Sequence, residues 1–583
     1  MTRRVVSIIR RWLASKGLMP WWLWLVPAGV GLAAGLLRRA AGPYWLGVNS
    51  DPAYLYLINA LYLVDGITPY FTDHPGTTLE ILGALVIWVM TRGHAVAEQV
   101  LRQPEVYLGV LHRLLLGMYL VSLWAVGLCA WRWSRKVFFA LAVQSSALFF
   151  LTLKSYASAQ AVLPVIVNIN SDTLLLTVTN IYIIILLDVL FASSQARWSW
   201  RALAFGVAGA VGVTTKLTFL PLLGIPLLLL PDWRSRGIFL GTLFGVAALI
   251  LMPVWSRYRE ILAWIDQISL ERSADGAFEG IVNMTSYGRH LMWLLTNHWP
   301  LTVLMGFGGA WWAWSFGAGR TDQRFVRKVT AVFLGTFGAH FLLVARHAGP
   351  HYMAPAFGLT GVMAGWLALH PPVKQIARLW RAGWWGVLVL FVGSQAAYTA
   401  DYHRKLKATN QAIERFSHQV YTSYAGRCAV FGFYRSSSVP MAIRFAQGHG
   451  NLGHYADLLR RLYPEALFYN PWHRTFRRFD KNVMLASVLG PDRCGLLYGS
   501  ADQFVGSDYL RVKKIRQVYN EKLYLITRST LDQAHRLYLL AVIKQRQGDA
   551  AAAYVLARAA ARLGHPDADS LAERLRKSES SYR

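Results

Sequence analysis

Charge is scarce in this chain. Only 15% of its 583 residues are Asp, Glu, Lys or Arg, against about 25% in an ordinary soluble domain, which argues against a cytosolic enzyme. Acids are the scarcer sign, 30 against 60 Lys and Arg, so the formal net charge is +30. Cysteine is scarcer still: three residues exclude a disulfide-dense scaffold and offer no zinc spacing. In place of charge stand long apolar runs. Hydrophobic residues make up 55%, with 24 Trp and 27 Tyr, and mean hydropathy is +0.32. Excess Lys and Arg suit loops facing anionic lipid, and Trp and Tyr suit the two bilayer interfaces. A nucleic-acid binder would share the charge but not the apolar runs. The composition is that of an integral membrane protein.

A span needs about 20 mostly apolar residues, fewer where the bilayer thins or chain ends snorkel. Eleven runs qualify: 20–37, 108–131, 137–153, 173–192, 203–217, 218–231, 238–255, 299–317, 329–345, 352–370 and 383–400. The two within 203–231 are the shortest. Arg3, Arg4, Arg10, Arg11 and Lys16 precede the first run, which ends at Arg38-Arg39 without a small-residue cleavage site. It reads as a retained helix with a basic cytoplasmic flank rather than a signal peptide. With the N-terminus inside, Arg132/Arg135/Lys136, Arg197/Arg201, Arg234/Arg236, Arg320/Arg324/Arg327/Lys328 and Lys374/Arg378/Arg381 all fall on inner turns, as the positive-inside rule requires. The outer loops are then 38–107, 154–172, 256–298 and 346–351, and the C-terminus lies outside. Segment 77–92 is apolar enough to insert, but it is short and holds Glu80; it is expected at the outer interface or as a re-entrant piece.

After Ala400 the chain turns polar. The short apolar runs 428–433, 466–470, 494–500 and 523–527, separated by helix-like stretches such as 454–464, predict a small extracytoplasmic α/β domain over 401–530. Residues 531–583 lack strand signals and are rich in Ala, Leu and Arg, which predicts a helical hairpin of tetratricopeptide type.

The candidate chemistry lies on the outer side. Asp51 opens a helix-like stretch, with Ser50 as a plausible N-cap and Pro52 in the first turn; it either complements a helix N-terminus or acts as a base. Asp65-Gly66 reads as a turn, and His74, between Asp73 and Pro75, is either an interfacial histidine or a donor to an anion. Asp172 opens the span 173–192; an ionisable group at the mouth of a membrane helix is costly enough to suggest function, and a helix cap is its other reading. Lys216 sits in an apolar run with no acid nearby in sequence, either snorkelling or receiving an anionic headgroup. Arg346, His351 and Tyr352 belong to an outer loop dense in donors, whose basic character breaks the positive-inside trend and points to a phosphate partner.

These segments together resemble the GT-C glycosyltransferases, closest to the protein O-mannosyltransferases and the lipid A aminoarabinose transferases. The resemblance rests on Asp51 before an aromatic-rich helix, the Gly66 to Tyr70 turn with its Pro-Tyr, His74-Pro75, SDTLLL (171–176), GVTTKLTFL (212–220) and HYMAPA (351–356). It covers about 45–400. Pro52 stands where the family usually has a second acid, and Pro75-Gly76 where it often has Pro-Pro; both bear on substrate more than on class. The resemblance implies transfer of a sugar from a polyprenyl-phosphate carrier to a lipid, glycan or protein acceptor on the outer face of the cytoplasmic membrane. Asp51 would be the base and Asp172 would orient the acceptor. Asp51 and Asp172 could instead hold a divalent metal, the one cofactor open in this class. His74, Lys216, Arg346, His351 and Tyr352 would meet the donor phosphate, and direct displacement would invert the anomeric configuration.

A transporter or flippase of lipid-linked glycans would share the spans and the basic path, but no internal repeat supports it. A ligase would share the carrier and depend on outer-loop Arg and His rather than a first-loop Asp. A receptor using 401–583 is a third alternative. Cys428 and Cys494 each start a strand-like run, so neighbouring parallel strands would allow a disulfide; two buried free thiols is the other reading. Cys129 lies in a span and is expected to stay a free thiol.

Overall fold

The computed structural model describes residues 20–46, 50–70, 76–152, 164–191, 198–262, 284–317, 323–345, 350–424, 428–432, 438–448, 453–470, 475–483, 489, 494–498, 510–518, 521–528, 530–562, 565 and 567–580. Two units emerge from the contacts: Met1–Ala41, Tyr62–Met90 and Tyr107–Leu406 in the first, Gly42–Leu61, Thr91–Val106 and Lys407–Arg583 in the second.

The first unit is helical, as a chain must be where no water can satisfy its backbone. Among the described residues six helices are long and apolar enough to cross a membrane: Trp21–Ala41, Pro104–Ser134, Ser171–Phe191, Trp233–Leu262, Arg324–Val344 and His351–Leu369. Thr77–Thr91 and Val96–Arg102 form a pair bent by 100°, a broken span or re-entrant loop, in the segment where Glu80 stood out. The expected spans 137–153 and 218–231 are not single helices. Residues 137–153 give a helix Val137–Ser145 that tightens into a 3-10 turn, Ser146–Leu151. Residues 203–231 give a helix Trp198–Thr215, an extended Lys216, a 3-10 turn Leu217–Leu223 and a short helix Gly224–Leu229; Pro221 and Pro226 remove the donors a continuous helix would need. The expected span 383–400 is part of one helix, Ala377–Tyr424. Its apolar character stops near Ala400, but no Gly or Pro follows until Gly426, and Asp401 pairs with Arg404 and Lys405 one turn on.

The second unit holds a seven-stranded mixed sheet in the order β4-β3-β2-β1-β5-β7-β6. Its strands are β1 Cys428–Gly432, β2 Leu467–Asn470, β3 Thr475–Arg478, β4 Lys481–Val483, β5 Cys494–Tyr498, β6 Leu510–Val518 and β7 Glu521–Arg528. β1 runs parallel to β2 and β5, and the remaining pairs are antiparallel. The helices Val439–Gly448 and Ala456–Leu462 make the crossover from β1 to β2. Cys428 and Cys494 are directly opposed in the β1–β5 register, and their sulfurs are bonded, with Cα atoms 4.4 Å apart. Phe416, from the long helix, packs with Cys428, Leu496 and Leu523 in one core of this unit. The C-terminal piece exceeds the expected hairpin: Thr530–Arg546 and Ala550–Arg562 are joined by a third helix, Ala568–Ser580. That helix is so charged that its apolar stripe is easily overlooked, yet Leu571, Ala572 and Leu575 pack on Ala541, Ala553 and Ala557.

Candidate functional site

The start of the helix Ser171–Phe191 is built from polar side chains in an apolar setting. Asn170 Oδ1 accepts from the Thr173 N–H, and the Thr173 hydroxyl lies within hydrogen-bond distance of the Val165 and Asn168 carbonyls. Asn170 therefore fills the capping place, which the sequence also allowed Asp172 to fill. The Asp172 side chain is left free to point elsewhere, and it is 2% exposed.

Its partner comes from 44 residues away. Lys216 Nζ donates to Asp172 Oδ2 at 2.6 Å, with both side chains 3–4% exposed. The lysine reaches there because the helix Trp198–Thr215 ends at it: φ −163° and ψ 134° extend the chain for one residue before the 3-10 turn. That turn folds back onto Gly212, where a Cβ would stand 2.4 Å from the Phe219 ring; only glycine permits this approach. Lys216 is thus neither snorkelling nor without an acid. Its ammonium also lies 4.5 Å from the centroid of the Tyr352 ring, which is itself tilted at 46° against the His351 ring, with centroids 4.0 Å apart. An ammonium over an aromatic face keeps its charge at reduced hydration. Asp172 Oδ1 is buried and has no hydrogen-bond partner.

A fourth segment closes on the same place. The Gly76 N–H donates to Thr215 O at 3.3 Å, and the Thr78 and Thr215 hydroxyls are 2.6 Å apart. The residues following His74-Pro75 are thereby fastened to the residue preceding Lys216. Nearby in sequence, the Arg257 guanidinium lies 3.8 Å over the Tyr70 ring, and the Thr68 and Ser256 hydroxyls are 3.2 Å apart. Arg257, in the expected outer loop 256–298, is not among the candidates read from the sequence.

Of the candidates, the structure therefore brings together Asp172, Lys216, His351 and Tyr352. Asp51 lies on the helix Ser50–Val64, of which the backbone but not the Asp51 side chain is described. His74 and Arg346 lie outside the described residues. Of the two acids expected to be able to hold a divalent metal, only the Asp172 side chain is described. An ammonium already holds one carboxylate oxygen, and no group of three His, Cys, Asp or Glu suited to a metal occurs among the described residues.

No protein-family model matches the chain, and no curated protein does. Among solved structures it is similar to ArnT from Cupriavidus metallidurans bound to undecaprenyl phosphate, at 14% identity and a TM-score of 0.45, over 87% of this chain and 98% of that one.

Proposed function

We propose that this membrane protein is a glycosyltransferase of the GT-C class, moving a sugar from a polyprenyl-phosphate carrier to an acceptor hydroxyl on the outer face of the cytoplasmic membrane. One observation carries the reading. SDTLLL, GVTTKLTFL and HYMAPA, three of the motif segments expected to build such a site, meet in the contacts of Asp172, Lys216 and Tyr352.

The reaction needs little more. The acceptor oxygen attacks the anomeric carbon and gives its proton to the Asp51 carboxylate. The bond from that carbon to the phosphate oxygen breaks, and the carrier leaves as a polyprenyl phosphate that keeps the electron pair. The leaving group is already a stable anion, so no general acid is required, and cations suffice to hold it. Lys216 has two further N–H donors once Asp172 has taken one, and they would serve the phosphate with His351 and with His74 and Arg346, the other donors expected from the sequence. Asp172 keeps the ammonium charged and in place, and its unpartnered Oδ1 can accept from an acceptor hydroxyl. Attack opposite the leaving group inverts the anomeric centre.

The test is mass spectrometry of envelope glycans and glycolipids from cells carrying the wild-type chain, the Asp51→Asn variant or no copy. The reading expects one saccharide mass increment in the wild type that is absent from the other two, with the Asp51→Asn protein present at the wild-type level. An envelope identical in all three would overturn it.

A further inference from the structure

The second unit contains an arrangement of charge that the transfer reaction does not use. Arg444 and Gln447 stand three residues apart on the helix Val439–Gly448, and so share a face. Arg477 lies on β3, paired in register with Phe468 of β2. The Arg444 guanidinium sits over the ring of that same Phe468, 5.9 Å from its centroid. The two guanidinium groups are thus gathered around one aromatic residue, close enough that burial first and Arg477 second pull Arg444 down to about 10. At neutral pH Arg444 therefore remains cationic.

Neither arginine is compensated. The Nε of each is buried with no hydrogen-bond partner, and both polar atoms of the Gln447 amide, on a residue that is 0% exposed, lack partners as well. No carboxylate among the described residues pairs with either arginine. The contrast lies a few residues off, where Arg460 of the same unit binds both Asp457 and Asp480. Four buried polar atoms without partners in so small a space are far above the native norm, and a buried polar group of this kind marks a missing ligand or strain. Two like charges brought together without an acid call for an anion. A contact with the Phe468 ring face leaves the in-plane N–H donors of Arg444 available, in the fork that suits an oxyanion. The Gln447 amide adds an NH2 donor group and a carbonyl acceptor, both of which a hydroxyl can answer.

We propose that Arg444, Arg477 and Gln447 form an anion site that takes a phosphate group carried on a saccharide, the arginines binding the phosphate and Gln447 an adjacent sugar hydroxyl. The site belongs to the sheet-containing unit and does not rest on the transfer reaction; its failure would leave that reading untouched.

The test uses the full chain in phosphatidylcholine nanodiscs, with inorganic phosphate, glucose 6-phosphate and glucose as probes at constant ionic strength in chloride. Glucose 6-phosphate should bind saturably and more tightly than inorganic phosphate, and glucose should not bind. Arg444→Met and Arg477→Met should each weaken phosphate binding at least tenfold, and Gln447→Leu should erase the preference for the sugar phosphate. Losing one of two like charges should not lower the melting temperature of the free protein; if a methionine variant nevertheless fails to fold, Arg444→Lys and Arg477→Lys, which keep charge but not the fork, should show the same weakening. Absence of saturable binding to the wild type, or binding indifferent to both arginines, would overturn the site. Equal affinity for phosphate and glucose 6-phosphate would overturn its assignment to a saccharide.

Discussion

At the scale of single residues, the Asp172–Lys216 pair is a commitment as well as a site. Both side chains are almost completely removed from solvent. Each charge is tolerable only because of the other, so removing one partner should cost about 3–5 kcal/mol, the usual consequence of stranding a buried charge. Asp172→Asn and Lys216→Met should therefore each lower the melting temperature. The double variant should regain most of the loss, because a neutral pair needs no compensation, while transfer stays abolished. Additive losses in the double variant would mean that the two groups do not depend on one another. Asp51 calls for the opposite pattern: Asp51→Asn should reduce turnover about a hundredfold or more, as loss of a general base does, with expression and melting temperature unchanged. Near-normal turnover by that variant would remove Asp51 from the reaction. The members of the pair stood out individually in the sequence as charges in apolar runs. Their pairing did not, because 44 residues and a break in a helix separate them, and nothing local records such a contact.

At the scale of elements, one carboxylate holds the start of the first outer loop together. Glu105 accepts from the Tyr44 N–H at 2.8 Å, the Trp45 N–H at 3.0 Å and the Tyr54 hydroxyl at 2.7 Å. Burial first, then the Glu105 charge, holds the Tyr54 hydroxyl well above the ordinary tyrosine range, so it stays a donor at any working pH. Glu105→Gln would turn an amide donor toward donors, at a cost of about 1–3 kcal/mol. Limited proteolysis should then cut within 42–61 faster than in the wild type, and an unchanged cutting pattern would show the clasp to be dispensable. A second element is sensitive to pH. The Asp567 N–H donates to His565 Nδ1, so the neutral His565 ring carries its proton on Nε2 and faces His535 Nδ1 at 3.0 Å, with Tyr538 stacked on it at 4.1 Å. Burial, then His535, lowers His565 below its ordinary 6.5, against a smaller upward pull from Asp567. The folded site thus refuses a proton that the unfolded chain accepts. Its stability is present above pH 6.5 and lost as the pH falls below it. Hydrogen exchange in the helices Thr530–Arg546 and Ala550–Arg562, corrected for the intrinsic effect of pH, should accelerate from pH 7.5 to 5.5 in the wild type and not in His565→Phe. The sequence announced elements unevenly for a physical reason. β1, β2, β5 and β7 are apolar runs, whereas β6, read as LRVKKIRQV, is an edge strand whose charges disguise it.

At the scale of the whole molecule, hydropathy marks where lipid begins and ends but not where helices do. Apolar character stops near Ala400 while the helix Ala377–Tyr424 continues for six more turns, because backbone hydrogen bonding is indifferent to which solvent the side chains meet. That continuity carries Phe416 into the same small core as Cys428 and Leu496, so the covalent and packing constraints of the second unit meet at one point. The Cys428–Cys494 bridge closes a loop of 66 residues, worth about 4 kcal/mol to the folded unit in the chain-entropy model. Such a bond persists only in an oxidising compartment, so it also tests the expected outside location of 401–583. Denatured, unreduced protein should show one alkylatable cysteine, Cys129, and three after reduction. Reduction of the native chain should lower the unfolding temperature of the second unit, followed through Phe416→Trp fluorescence, without moving that of the first. Three reactive thiols in protein purified without reductant would remove both the bridge and the compartment inferred from it.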